Sequence, residues 1–142
     1  MAADVTFGYF LIPNAADPLL DTARDVERLG LDYVGIQDHP YQRRFVDTFA
    51  LMSAILATTT RLRVFPDVAN LPLRPPAVLA KTAASLDVLS GGRFELGLGA
   101  GSFWDAAEGY GAIAWRVTRP AGRGHRGHPA DLERRAESAL RG

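Results

Sequence analysis

Short runs rich in β-branched and aromatic residues alternate with longer stretches in which apolar residues recur every three to four positions. Val5 to Ile12 is the first run, closed by Pro13-Asn14. Asp17-Pro18 reads as an N-cap followed by proline at the first helical position. Leu19, Ala23, Val26 and Leu29 then share a helical face up to a stop at Gly30. Tyr33 to Gln37 is a second strand. Asp47 or Thr48 caps a second helix with Phe49, Met52, Ile55 and Leu56 inward, which ends at Thr58-Thr59-Thr60. A third strand runs from Leu62 to about Val68, and Pro66 inside it predicts a bulge. Pro75-Pro76 opens a third helix carrying Leu79, Ala83, Leu86 and Leu89, and Ser90-Gly91-Gly92 closes it. Phe94 to Leu98 is a fourth strand.

Strand starts near residues 5, 33, 62 and 94 recur about every 30 residues, the length of a βαβ unit. Alternation of this kind predicts an α/β protein with a parallel sheet, either doubly wound or part of a barrel. An eight-stranded barrel needs roughly 250 residues. This chain has 142, and only four units are legible.

After Gly111 the pattern stops. Residues 1–111 hold nine basic and thirteen acidic side chains, and residues 112–142 hold seven and three, so a body of net −4 adjoins a tail of net +4. The expected organisation is one domain over 1–111 and a weakly ordered Arg/Gly-rich tail over 112–142. Within the tail, 131–140 could form a short terminal helix. The abrupt change suggests a chain cut short or out of frame beyond this point.

Composition narrows the chemistry. The absence of cysteine excludes disulfides, thiolate catalysis and cysteine-ligated metals. Zero net charge gives no overall attraction to nucleic acid or anionic membrane. No apolar run approaches the roughly 20 residues that span a bilayer. Met1-Ala2-Ala3-Asp4 lacks the basic start and apolar stretch of a secretory signal, which predicts a cytoplasmic protein. His125 and His128 have a spacing that permits metal binding, but no carboxylate or third histidine accompanies them, and a solvated basic tail is the favoured reading. No metal site is expected. Arg119 to Arg126 lacks the aromatic interleaving of a nucleic-acid module.

Three strand ends carry candidate chemistry, because ligands of α/β proteins bind outside the carboxyl ends of parallel strands. Asp38-His39-Pro40 follows the second strand. His39 could donate a hydrogen bond or relay a proton, or simply bond the loop backbone, and Asp38 could orient it. Pro66-Asp67-Val68-Ala69-Asn70 follows the third, where a bulged backbone could support a planar ring. Gly97-x-Gly99-x-Gly101 follows the fourth. It fails the dinucleotide fingerprint, since Ser102 stands where the third glycine belongs, and it could be a plain turn into the next helix.

Several separated segments resemble one family. Leu29-Gly30-Leu31-Asp32-Tyr33-Val34-Gly35 with Asp38-His39-Pro40, Thr60-Arg61-Leu62-Arg63, Leu71 to Lys81, and above all Leu86 to Gly101 are similar to the luciferase-like flavin-dependent oxidoreductases. The similarity covers roughly residues 5–111. It implies the N-terminal half of a TIM barrel, with four parallel strands and alternating helices. It also implies FMN or the deazaflavin F420 as cofactor and a small-molecule substrate, with hydride transfer or oxygen activation at the ring. Gly99 to Asp105 looks closest to the F420 branch. By the same resemblance His39 lies beside the ring as the catalytic residue, and Asp38, Asp67, Val68, Asn70, Gly99, Ala100 and Gly101 are cofactor-binding. A non-prolyl cis peptide is implied near Asp67-Val68, where Asp67 replaces a small residue. Half a barrel leaves its inner face and two sheet edges open, so a homodimer through those edges is a further expectation. The competing readings are a non-catalytic half-barrel that binds a partner chain, and an inactive gene fragment.

Overall fold

The computed structural model describes residues 5–112. The expectations for the basic tail, its terminal helix, His125 and His128 therefore lie outside the described residues. The elements run β1 (Gly8–Leu11), α1 (Leu19–Arg28), β2 (Tyr33–Ile36), α2 (Thr48–Thr58), β3 (Arg63–Pro66) and β4 (Ala69–Asn70). A short 3-10 turn (Leu71–Leu73), α3 (Pro76–Ser90), β5 (Leu98–Gly99) and α4 (Trp104–Gly109) follow. β1, β2 and β3 form one parallel sheet in that order, and β4 pairs in parallel with β5. This is an α/β fold of parallel strands joined by helices. Among the described residues, no helix is long and apolar enough to cross a membrane.

The period-2 alternation of the strands sorts two faces. Val34, Ile36 and Val64 are fully buried against the helices, packed with Met52 and Ile55 of α2, Ala23 and Val26 of α1, and Leu79 and Leu86 of α3. α2 is apolar on nearly every side because it lies between α1, β3 and α3. On the other face, Gly8, Phe10, Tyr33, Gly35 and Phe65 line an open groove of about 410 Å³ with Asp67 and Glu95. The Phe65 ring closes over Gly35, where a methyl group would lie 2.9 Å from Cζ.

The helix ends follow the sequence signals with one exception. Asp47 caps α2, its Oδ1 accepting from the Ala50 amide at 2.9 Å. Gly91 closes α3 in the left-handed region, with φ 68°. Asp17 does not cap α1: the N-cap is Pro18, without a side-chain bond. The Arg93 guanidinium closes the far end of α2, donating to the Leu56 carbonyl at 2.7 Å, with further bonds to Thr59 Oγ1, the Leu62 carbonyl and the Ser90 carbonyl. It thereby satisfies carbonyls that a helix C-terminus leaves unpaired.

The expected fourth strand, Phe94 to Leu98, is not continuous. Phe94 makes a single parallel bridge to Val64, and regular pairing resumes only at Leu98–Gly99 opposite Ala69–Asn70. The cause is Pro66. Val64 turns its amide and carbonyl toward this segment, bonding the Arg93 carbonyl at 2.9 Å and the Glu95 amide at 3.0 Å. Two residues on, the same side belongs to Pro66, which has no N–H to give. The ladder lapses there and restarts where the Ala69 amide reaches the Gly97 carbonyl at 2.9 Å. The peptide between Asp67 and Val68, inside this gap, is cis.

Candidate functional site

The carboxyl ends of β2, β3–β4 and β5 meet at one end of the molecule, and Asp38 joins the first two. Its carboxylate is almost fully buried. Oδ2 accepts from the Asn70 amide at 2.8 Å and from Arg74 Nε at 3.2 Å, and Oδ1 accepts from Arg74 Nη2 at 2.9 Å. Both oxygens are thus engaged by the protein. Asp38 acts by holding the segment after the third strand against the end of the second. Arg74 Nη2 also reaches Asp47 Oδ2 at 3.1 Å, and the guanidinium carbon lies 4.1 Å from the centre of the Phe49 ring. Burial works against the Arg74 charge, but the Asp38 and Asp47 carboxylates outweigh it and hold the pKa above the ordinary arginine value.

His39, the next residue, is half-buried. Its orientation starts from α2, whose Thr48 hydroxyl donates to the Gln37 carbonyl at 2.7 Å. The Gln37 side-chain amide lies 3.0 Å from His39 Nδ1. An amide nitrogen can only donate, so in this hydrogen bond Nδ1 accepts, and the tautomer that makes it carries its proton on Nε2. The imidazole stacks on Tyr41 at 5.3 Å and meets the edge of Phe103 at 5.5 Å, and Tyr110 packs edge-on to Tyr41. In that tautomer the Nε2 N–H has no partner among the described residues, and the ring plane is fixed by aromatic neighbours.

The glycine corner is on the same side, since Phe103 follows Gly101 by two residues. Asn70 pairs with Gly99 across β4 and β5. Val68 is partly exposed and covers Gly97 and Gly99. A methyl group at Gly99 would lie within 2.4 Å of Val68 Cγ2, and one at Gly97 within 2.5 Å of the Pro66 carbonyl oxygen. Both glycines are needed by the protein's own bulge. Gly101 has φ +92° and faces the Pro72 ring. Asp67 is exposed on the groove side, its amide donating to the Ile36 carbonyl at 2.7 Å. Ala100 is exposed at the rim. The fold thus brings His39, Asp38, Asn70, Val68 and Gly99 to Gly101 to one end, while Asp67 turns toward the groove.

Among the described residues, two buried polar atoms here have no hydrogen-bond partner: Asn70 Oδ1 and the Tyr41 hydroxyl. Buried polar atoms are nearly always paired, so these two are open to a ligand or a water. Burial, and after it the Asp38 carboxylate, raises the Tyr41 pKa above 10.0, which keeps the hydroxyl neutral. Sequence reading missed Tyr41, Gln37 and Arg74 as parts of the site. Arg74 had a signal, as the only charge between Val68 and Ala80.

The family model of the luciferase-like monooxygenases matches residues 5–138, and the chain belongs to that family. An uncharacterized protein of Mycobacterium tuberculosis is 53% identical over 55 residues, covering 39% of this chain and 19% of that protein. The pyrimidine monooxygenase RutA of Methylobacterium radiotolerans is 44% identical over 63 residues, 44% of this chain and 16% of that protein. The matched stretches thus span less than a fifth of these relatives' length. Among solved structures, the F420-dependent tetrahydromethanopterin reductase of Methanopyrus kandleri superposes with a TM-score of 0.63 at 28% identity, covering 77% of this chain and 30% of that one. An F420-dependent secondary alcohol dehydrogenase, solved with an F420–acetone adduct, gives 0.63 and 28% over 70% and 32%. The FMN-bound oxygenating constituent of 3,6-diketocamphane monooxygenase from Pseudomonas putida shares the fold, with a TM-score of 0.62 at 22% identity over 86% and 31%.

Proposed function

We propose that this chain forms the N-terminal part of an eight-stranded barrel, and that the joined ends of β2, β4 and β5 are one wall of a site for F420 or FMN in an oxidoreductase of the luciferase-like type. The observation that carries this reading is the grouping of one free histidine N–H with the orphaned Asn70 Oδ1 and Tyr41 hydroxyl. A tricyclic redox ring carries donors and acceptors along its polar edge and an apolar face, which fits those atoms beside exposed Val68. The two neighbours at 28% identity both use F420, and the RutA relatives are monooxygenases, so hydride transfer and oxygenation are both open to this family member.

When bound, the cofactor supplies the hydride transfer or, as reduced FMN, the activation of oxygen. The protein's part is to bind and orient. His39 Nε2–H would donate to the ring or to a small-molecule substrate, and could pass a proton at that atom. Asn70 Oδ1 would accept a ring N–H. Val68, held over Gly99, supplies apolar contact, and Tyr41 with Phe103 keeps the imidazole plane fixed.

Fluorescence titration of F420 and of FMN into the purified chain tests the reading. Saturable binding of one of them is expected, weakened about tenfold or more by His39→Ala and by Asn70→Leu, as loss of one hydrogen bond in a buried site implies. Failure of both cofactors to bind, or binding indifferent to both substitutions, would overturn it.

A further inference from the structure

We infer that Arg74 is a positioning residue that sets His39 and Asn70 relative to each other, an inference that rests on the cofactor reading for its purpose but not for its geometry. Three segments meet at the guanidinium. Its fork grips Asp38 through Nε at 3.2 Å and Nη2 at 2.9 Å, fixing the residue before His39. The same Asp38 carboxylate accepts the Asn70 amide at 2.8 Å, so the far side of the clamp is the β4 backbone. Nη2 also reaches Asp47 at 3.1 Å, and Asp47 caps α2, whose Thr48 fixes Gln37 and through it the imidazole. The Phe49 ring supports the guanidinium plane from below.

The arrangement needs arginine in particular. The Asp38 side chain is 1% exposed and that of Arg74 is 21% exposed. A carboxylate so enclosed requires a cation beside it, and among the described residues Arg74 is the one ion-paired to it. A lysine could supply the charge. It could not supply two parallel N–H donors to Asp38, a further one to Asp47 and a flat surface for Phe49 together. The consequence for function is specific: the distance between the His39 N–H and Asn70 Oδ1 is set by a third residue that need touch neither cofactor nor substrate.

The test compares Arg74→Lys and Arg74→Met with Arg93→Lys in the full chain. Arg93 is also a multiply bonded guanidinium, but it serves the opposite end of α2 and controls for general loosening. Imidazole and amide NMR spectra are recorded, with His39 assigned through His39→Gln, alongside F420 and FMN titrations and thermal melts. Both Arg74 variants are expected to shift the His39 imidazole and Asn70 amide resonances. They should weaken cofactor binding about tenfold for lysine and more for methionine. Arg93→Lys should lower the melting temperature with those resonances and affinities unchanged. If Arg74→Met does not fold, Arg74→Lys carries the comparison. If the wild-type chain binds neither cofactor, the functional reading falls and the resonances alone decide the positioning role. Wild-type His39 and Asn70 resonances in a folded Arg74 variant, or equal changes in Arg93→Lys, would overturn the proposal.

Discussion

At the scale of single residues, the site is built from groups whose polar demands are met by the protein and groups whose demands are not. Asp38 belongs to the first kind and Tyr41 to the second. A buried hydroxyl without a partner destabilises the free protein, so Tyr41→Phe should leave its stability unchanged or raise it by up to about 1 kcal/mol. Urea denaturation measures this, and a loss of more than about 1 kcal/mol would show that the hydroxyl is paired. The same residue gives an alkaline signature. Its folded pKa lies above the ordinary 10.0, so its neutral form contributes stability that is present below that value and lost as pH rises through the folded one. The stability of Tyr41→Phe should therefore fall less steeply above about pH 10 than that of the wild type. Two glycines answer to the protein's own backbone. In the run Gly97-x-Gly99-x-Gly101, Gly97 and Gly99 lie so close to Pro66 and Val68 that a methyl group has no room. Gly97→Ala, which would set a methyl group against a backbone oxygen, should cost about 1–3 kcal/mol before any ligand is considered.

At the scale of elements, hydrophobic spacing located α1, α2 and α3 and misjudged the inner face of two of them in the same way. Leu29 and Leu89 were expected inward, ten residues after Leu19 and Leu79, but they are 73% and 84% exposed. At 3.6 residues per turn, ten positions rotate by about 280°, well off the starting face, whereas eleven return to it. Ser90 is buried for that reason. Strand ends were less legible, because where a ladder stops depends on what faces it: Pro66 interrupts the pairing of the Phe94 segment, an effect visible only once the register is known. At the opposite end of the sheet from His39, one carboxylate secures the entry to β3. Glu27 Oε1 accepts the amides of Thr60 at 2.8 Å and Leu62 at 2.9 Å, with that of Arg61 between them. Burial pushes its pKa up, but the three amides and the Arg61 charge pull it further down, to below 4.5. A lowered folded value contributes stability above the unfolded pKa that is lost as pH falls through the folded one. Glu27→Gln should cost about 1 kcal/mol near neutrality, where solvent moderates the effect, and the gap from wild type should close as pH drops from about 6 to about 3. Thermal melts across that range check it.

At the scale of the molecule, one architecture separates a rigid sheet from a thinly held site. β2 is paired on both sides and its inner residues are fully buried, whereas β4 and β5 share a two-residue ladder in which Leu98 is exposed, beside exposed Val68. The parallel α/β order was legible from the 30-residue recurrence, because strand and helix periods are local properties. The clamp was not, since Asp38, Asp47 and Arg74 are brought together only by the packing of α2 between β3 and α3. Local opening follows local burial and pairing. Amide hydrogen exchange should therefore be slowest at Val34 to Ile36 and Met52 to Leu56, and at least tenfold faster at Val68 and Leu98. Cofactor binding to the native state alone would slow exchange where the wall is loosest. Added F420 or FMN should protect residues 67–70 and 98–103 and leave β1, at the sheet's edge, unchanged. Equal protection everywhere would mean that the ligand stabilises the whole sheet, and that its site is not confined to the ends of β2, β4 and β5.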